Sequence, residues 1–356
     1  MFVALRDIRF AKGRFALMAV VVTLITTLVV FLYGLTGGLS AAASSAVAEL
    51  PADRIVFGAP AGAAPTVSFS NSTVSPAQQE AFAAAEGVTA ARPLGVSLTR
   101  LTASGAAASV SVLGTDSALL PPLLSGTAPQ EGQVAVGTGT AELYRLAVGD
   151  PVKVGPRTLT VSGLTADRSY SHAPSVWTTL ATWEQLSGQN QPTALALSGS
   201  GAHLAAVDAR QGTETVTVAD ALSGINGYAA ERGSLQMIQG FLFAVSALVV
   251  GAFFTVWTVQ RRPDVAVLKA VGASSGYLVR DALAQAAVVL VAGAGLGGTV
   301  GGVGGLFASA SVPFDVSLLN VAVPVGVMVL LGLAGAALAV RRITSVDPLA
   351  ALGANR

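Results

Sequence analysis

Residues 15–36 contain no charged side chain over 22 positions, and no other feature restricts the fold as severely. As an α-helix this run is about 33 Å long, enough to cross a hydrocarbon layer of about 30 Å. Inside lipid, backbone amides must be satisfied within the segment, so a lone run of this length has to be a helix. Further long apolar runs lie at residues 235–259, 282–300 and 318–340. With 52% hydrophobic and 11% charged residues, the chain falls outside the range of soluble globular domains. It reads as an α-helical membrane protein with four transmembrane helices, plus an α/β extracytoplasmic domain inserted between helices 1 and 2. A cleaved signal is the rival reading of the first run, because residues 41–46 are small. Typical signal cores span only about 7–15 apolar residues, which favours an uncleaved anchor.

The expected order of segments starts with a basic amphipathic helix (1–14) and the first span (15–40). The extracytoplasmic domain (41–219) and a stalk that becomes the second span (220–260) follow. Then come a cytoplasmic loop (261–281), the third span (282–306), an outer loop (307–317), the fourth span (318–340) and a tail (341–356). Ser75, Pro76 and Gln78 open a capped helix over residues 76–86. Alternation predicts strands within 97–113 and 133–161 and at 213–218, with a β-rich subdomain at about 108–172 and helix at 176–186. Gly224, Gly227 and Gly233 weaken the helical pattern after Asp220, but no strong breaker precedes Pro263. One helix of roughly forty residues, about 60 Å long, is therefore expected there.

Basic residues set the orientation. Arg6, Arg9, Lys12 and Arg14 lie at the N-terminus, Arg261, Arg262, Lys269 and Arg280 in the 261–281 loop, and Arg341, Arg342 and Arg356 in the tail. The 307–317 loop has no Lys or Arg. Both termini and the 261–281 loop are expected in the cytoplasm, with the large domain outside a plasma membrane. The net charge of +1 gives no reason to expect nucleic acid as a partner. The absence of Cys excludes thiolate catalysis and zinc-thiolate sites, and His172 and His203 are the only imidazoles. Both lie far in sequence from any span. Asp167, Ser171 and His172 are too close in sequence to read as a hydrolase triad, whose members converge from distant segments. No GxxxxGKS/T loop is present to cradle a nucleotide.

Between the second and third spans, QRRPDVAVLKAVGASSGYLVRD (260–281) reads as a short helix. Pro263 suits its first position, Asp264 and Lys269 complement its dipole, and Gly272 suits its stop. Such a helix, held between two spans, can receive a push from another protein; a solvated loop is the alternative. Gly293, Gly297, Gly301 and Gly305 recur every fourth residue and form one stripe for close helix packing.

These segments resemble the permease subunit of MacB/FtsX-type ABC transporters. RRPDVAVLKAVGAS (261–274) is similar to the family's coupling segment, with Asp264 where many members carry Glu. EGQVAVGTGTAELYRLAVGDPVKVG with TLTVSGL (131–164) is similar to the β-rich outer core, and RRITSVDPLAALGANR (341–356) to the tail. The resemblance implies a homodimer bound to two copies of a separate ATPase that holds ATP and Mg, in a lipid bilayer. That ATPase would dock at Arg261, Arg262, Pro263, Asp264, Leu268, Lys269 and Gly272, touch residues 1–12, and drive the outer domains mechanically. Within the family the chain is most similar to Hrt-type exporters, which implies haem as substrate and no intrinsic cofactor or catalytic residue.

Candidate haem-contacting residues are Tyr228 and Glu231 for oxygen ligation, Met237 for sulfur and Arg232 for a propionate. Glu231 and Met237 stand about 600° apart on an ideal helix, so a shared site needs two chains or a break at Gly233. The alternative is a solvated Glu231–Arg232 pair with Met237 packed in lipid. Other readings are lipoprotein, peptide or antibiotic extrusion, mechanical signalling, and a membrane-anchored binding or sensor protein without an ATPase. Single cysteines introduced at Lys153 and Lys269 should react with a membrane-impermeant thiol reagent from opposite sides of the membrane. Labelling of both from the same side would overturn the topology.

Overall fold

The computed structural model describes residues 12–60, 62–201, 203–260, 267, 269 and 271–344. Expectations for Arg261, Arg262, Pro263, Asp264, Leu268, residues 1–11 and the tail after 344 lie outside the described residues. The chain divides into two compact units, Met1–Gly38 with Gly233–Arg356, and Leu39–Arg232.

In chain order, α1 (Lys12–Ala48) is followed by β1 (Arg54–Phe57), α2 (Pro76–Ala83), β2 (Val88–Ala103), β3 (Ala106–Thr115) and β4 (Leu123–Gly126). Next come β5 (Gln133–Gly137), α3 (Thr138–Tyr144), β6 (Pro151–Val154), β7 (Arg157–Thr165), β8 (Ser169–Tyr170) and β9 (Ala173–Thr178). The unit closes with α4 (Leu180–Ser187), β10 (Ala194–Gly199), α5 (Leu204–Gln211), β11 (Glu214–Thr217) and α6 (Val218–Ala221). Then α7 (Tyr228–Gln260), α8 (Ser275–Ala308) and α9 (Leu318–Thr344) follow. Four helices, α1, α7, α8 and α9, are long and apolar enough to cross a membrane, and the α/β domain lies between the first and second of them.

The membrane unit packs by close backbone approach, because lipid supplies no hydrophobic drive between helices. The glycine stripe of α8 lies against α1. A Cβ built on Gly297 would stand 2.6 Å from the Thr23 carbonyl oxygen, and one on Gly293 would stand 3.0 Å from that of Ala19. At that separation the Thr23 and Thr27 hydroxyls donate across the interface to the carbonyls of Gly293 and Gly297, at 3.1 and 3.2 Å. Further along, Gly301 meets Val30, while Gly305 meets Phe314 from the 309–317 connection. Phe15, Val22, Phe254, Trp257, Leu290 and Ala336 bring all four helices into one core. Phe15 and Trp257 meet edge to face at 5.9 Å.

In the other unit the sheet follows the two-residue period. Ile55 and Phe57 enter one core with Ala194 and Ala196, while Val56, Leu195 and Leu197 enter another beneath α2 and α5. Ser75 caps α2 reciprocally: its hydroxyl accepts from the Gln78 N–H, and its own N–H donates to Gln78 Oε1 at 2.8 Å. β2 pairs with β3, β3 runs parallel to β9, β9 pairs with β5, and β5 runs parallel to β7. β7 then pairs with β6, which returns to β2 at Leu101↔Val154. Six strands thus close on themselves around Leu101, Val112, Val134, Val154, Val161 and Val176. The β11–β1–β10–β2 side stays open.

Two helical expectations are corrected. Residues 176–178 belong to β9, where Val176 and Trp177 are buried, and helix begins only at Leu180, capped by the Thr179 hydroxyl. The second long helix does not start near Asp220. α6 is four residues long, a 3-10 turn covers Leu222–Gly224, and α7 begins after Gly227, whose φ of +81° leaves the helical region. Ala221, Leu222 and Ile225 are buried in the α/β core, and that burial outweighs extension of the helix. The helix is 33 residues long.

Gly297→Leu should destabilise the membrane unit by about 1–3 kcal/mol, through overpacking against α1. Gly304→Ala, which meets nothing within 4 Å, should be close to neutral. Thermal unfolding of both variants in detergent checks the difference.

Candidate functional site

The first five residues of α7 carry three of the four candidate substrate contacts. Tyr228 is buried, and its hydroxyl lies 3.1 Å from the Ser40 hydroxyl on α1. One turn later Arg232 donates from Nη1 to the Tyr228 hydroxyl at 3.3 Å, and its guanidinium stands 5.9 Å from that ring's centroid. Glu231 sits where the helix N-terminus favours an anion, and it does not pair with Arg232. Its Oε2 lies 2.9 Å from Nε2 of His172.

In sequence His172 lies far from every span. Tertiary structure brings it in through the β8–β9 hairpin, whose two-residue turn is Ser171–His172. Both turn residues have positive φ, 51° and 60°, as a type I′ turn demands, yet neither is the usual Asn or Gly. The turn is held from outside. Ser171 and His172 donate their N–H groups to the Ala43 and Ala42 carbonyls of α1, at 2.8 and 3.1 Å. Ser169 N–H donates to the Ser45 hydroxyl, and Arg168 pairs with Glu49 at 2.6 Å. The hairpin therefore clasps α1 and aims one imidazole at the start of α7. No signal in the sequence links His172 to Glu231, because their contact spans 59 residues.

His172 and Glu231 remain accessible, with side chains 44% and 35% exposed. Nearby Tyr170 packs on Phe69, and burial pushes its phenol upward, so it stays neutral and is not an anionic ligand. Among the described residues no group of three His, Asp or Glu is arranged to hold a bare metal ion. His203 stands at the N-cap position of α5 without a side-chain capping bond and takes no part in this cluster.

Met237 is 64% exposed on α7 and belongs to the other compact unit. α7 continues through Gly233.

Of the coupling residues, Lys269 and Gly272 are described. The Gly272 N–H donates to the Lys269 carbonyl at 3.0 Å, and its φ of +101° closes a helical turn as only glycine does readily. Val267 and Val271, one turn apart, are 64% and 84% exposed and form an apolar patch. Ser274 then caps α8.

Two family models match along the chain, the MacB-like periplasmic core domain over residues 15–225 and the FtsX-like permease C-terminal region over residues 237–348. The chain is 26% identical to the Staphylococcus epidermidis protein named "Putative hemin transport system permease protein HrtB", over 99% of both chains. It is 28% identical, again over 99% of both, to a protein of Mycobacterium bovis named as an uncharacterized ABC transporter permease. The crystal structure of the periplasmic region of MacB from Actinobacillus actinomycetemcomitans aligns with 50% of this chain and 94% of that one, at 8% identity and a TM-score of 0.39.

Proposed function

Because the chain belongs to the MacB/FtsX family of ABC transporter permeases, we propose that it is the membrane half of a haem exporter. A separate ATPase supplies the energy. Two permease chains and two ATPase chains form the working assembly, with both termini and the 261–281 loop in the cytoplasm. ATP-driven closure of the ATPases pushes on the loop, α7 transmits the movement, and the extracytoplasmic domains expel the cargo. Support for the mechanical part is the pairing of an exposed Val267–Val271 patch with a Gly272 stop, directly between two spans.

The observation that carries the haem reading is the convergence of Glu231, His172, Arg232 and Tyr228 at the start of α7. Glu231 or His172 supplies the iron ligand, and Arg232 supplies a cation for a propionate. Since Glu231 and His172 already bond to each other, haem entry has to exchange that contact for ligation. Met237 belongs to the other compact unit and joins as a contribution from a second chain. Full-length likeness to a protein named for hemin transport favours the same cargo. Lipoprotein, peptide or antibiotic extrusion would use the same lever with a different cluster.

Titrating the purified permease–ATPase complex with haem should give a saturable absorbance change. Glu231→Ala, His172→Ala or Met237→Ala should alter that spectrum. A wild type with no saturable change excludes haem. Gly272→Pro, which removes the N–H and cannot adopt the positive φ, should abolish transport while the protein still inserts. Full transport by that variant would reduce the loop to a linker.

A further inference from the structure

The extracytoplasmic unit has an open stretch of strand edge inside an otherwise paired sheet. β2 is bonded along one side by β3 in unbroken register from Leu94 to Ala103. On its other side β10 ends at Ala194 opposite Leu94, and β6 begins at Val154 opposite Leu101. Among the described residues, no strand neighbours residues 95–100 on that side, a gap of about 20 Å at about 3.3 Å per residue. The gap arises because β2 leaves the open sheet and enters the closed six-stranded ring.

Hydrogen bonds show which backbone groups face it. The Val96 N–H donates to the Thr193 hydroxyl at 3.1 Å, and the Arg100 carbonyl accepts from the Gly155 N–H at 2.8 Å. Leu98 lies midway between them and has the same parity, so its N–H and C=O aim into the gap. Among the described residues nothing bonds Leu98 there, and its side chain is 55% exposed. A cleft of about 590 Å³ lies over this edge, lined also by Asn71, Thr73, Gln189, Asn190 and Gln191. That volume is in the range of ligand-binding sites.

We propose that this cleft docks a short, extended, uncharged polypeptide segment, which pairs its main chain with Leu98 as an added strand. A free N–H and C=O on one strand residue match the main chain of another strand and little else. The amide and hydroxyl walls satisfy a neutral partner, and no charged side chain lines the cleft to hold an ion. The ends of β10 and β6 limit the guest to about five residues, so a second sheet cannot dock edge to edge. A saccharide would need an exposed aromatic platform, whereas the one aromatic ring of the lining, Phe69, is 2% exposed. None of this depends on haem or on the ATPase.

The test uses the full chain in nanodiscs and a fluorescent, end-capped pentapeptide pool built from Ser, Thr, Val and Asn. Saturable binding is expected, and N-methylation of the central residue should weaken it about tenfold by removing a ladder bond. Asn71→Trp and Asn190→Trp, at exposed loop positions away from the core, should each abolish binding by filling the cleft. Equal affinity for the N-methylated pool would overturn main-chain pairing. No saturable binding, or binding of an N-acetylglucosamine tetramer in place of the peptides, would overturn the peptide assignment.

Discussion

The contact that the membrane unit depends on is the close approach of α1 to α8. Lipid is as apolar as leucine, so burying leucine between two spans gains little. What holds these helices is dispersion at short range plus the hydroxyls of Thr23 and Thr27 on glycine carbonyls. Both need a partner without Cβ atoms along one face. Gly293, Gly297 and Gly301 supply that face.

The extracytoplasmic unit is organised on a different principle, because water restores the hydrophobic term. Alternating strands bury Val, Ile and Leu on both faces, and β2 carries the chain from an open sheet into a closed ring. Two long helices share this unit and the membrane unit by chain continuity: α1 ends in it and α7 begins in it. The β8–β9 hairpin joins these two helices, with its backbone on Ala42 and Ala43 of α1 and its imidazole on Glu231 of α7. The positive φ values of Ser171 and His172 are tolerated because α1 carbonyls hold their N–H groups.

The same cluster illustrates why donor type and accessibility have to be read together. Tyr228 and Tyr170 are both oxygen donors by composition. Burial keeps Tyr170 neutral inside an aromatic contact, and Tyr228 is committed to Ser40 and Arg232. The partly exposed Glu231 and His172 are the groups free to exchange one partner for another.

The sequence by itself determined the four spans, the place of the inserted domain, the glycine stripe and the capping box at Ser75. Each of these is written in local period or composition: a charge-free run of membrane length, a repeat of four, a Ser and a Gln three residues apart. Tyr228, Glu231 and Arg232 were legible for the same reason, as polar residues beside a span. Tertiary structure alone decided that α7 starts at Tyr228, that β6 closes a ring on β2, and that His172 meets Glu231. The helix start depends on whether Leu222 and Ile225 find a core, and the other two are contacts between segments some fifty or more residues apart. Local pattern carries no information about such encounters, because they are set by how complete sheets and helices pack.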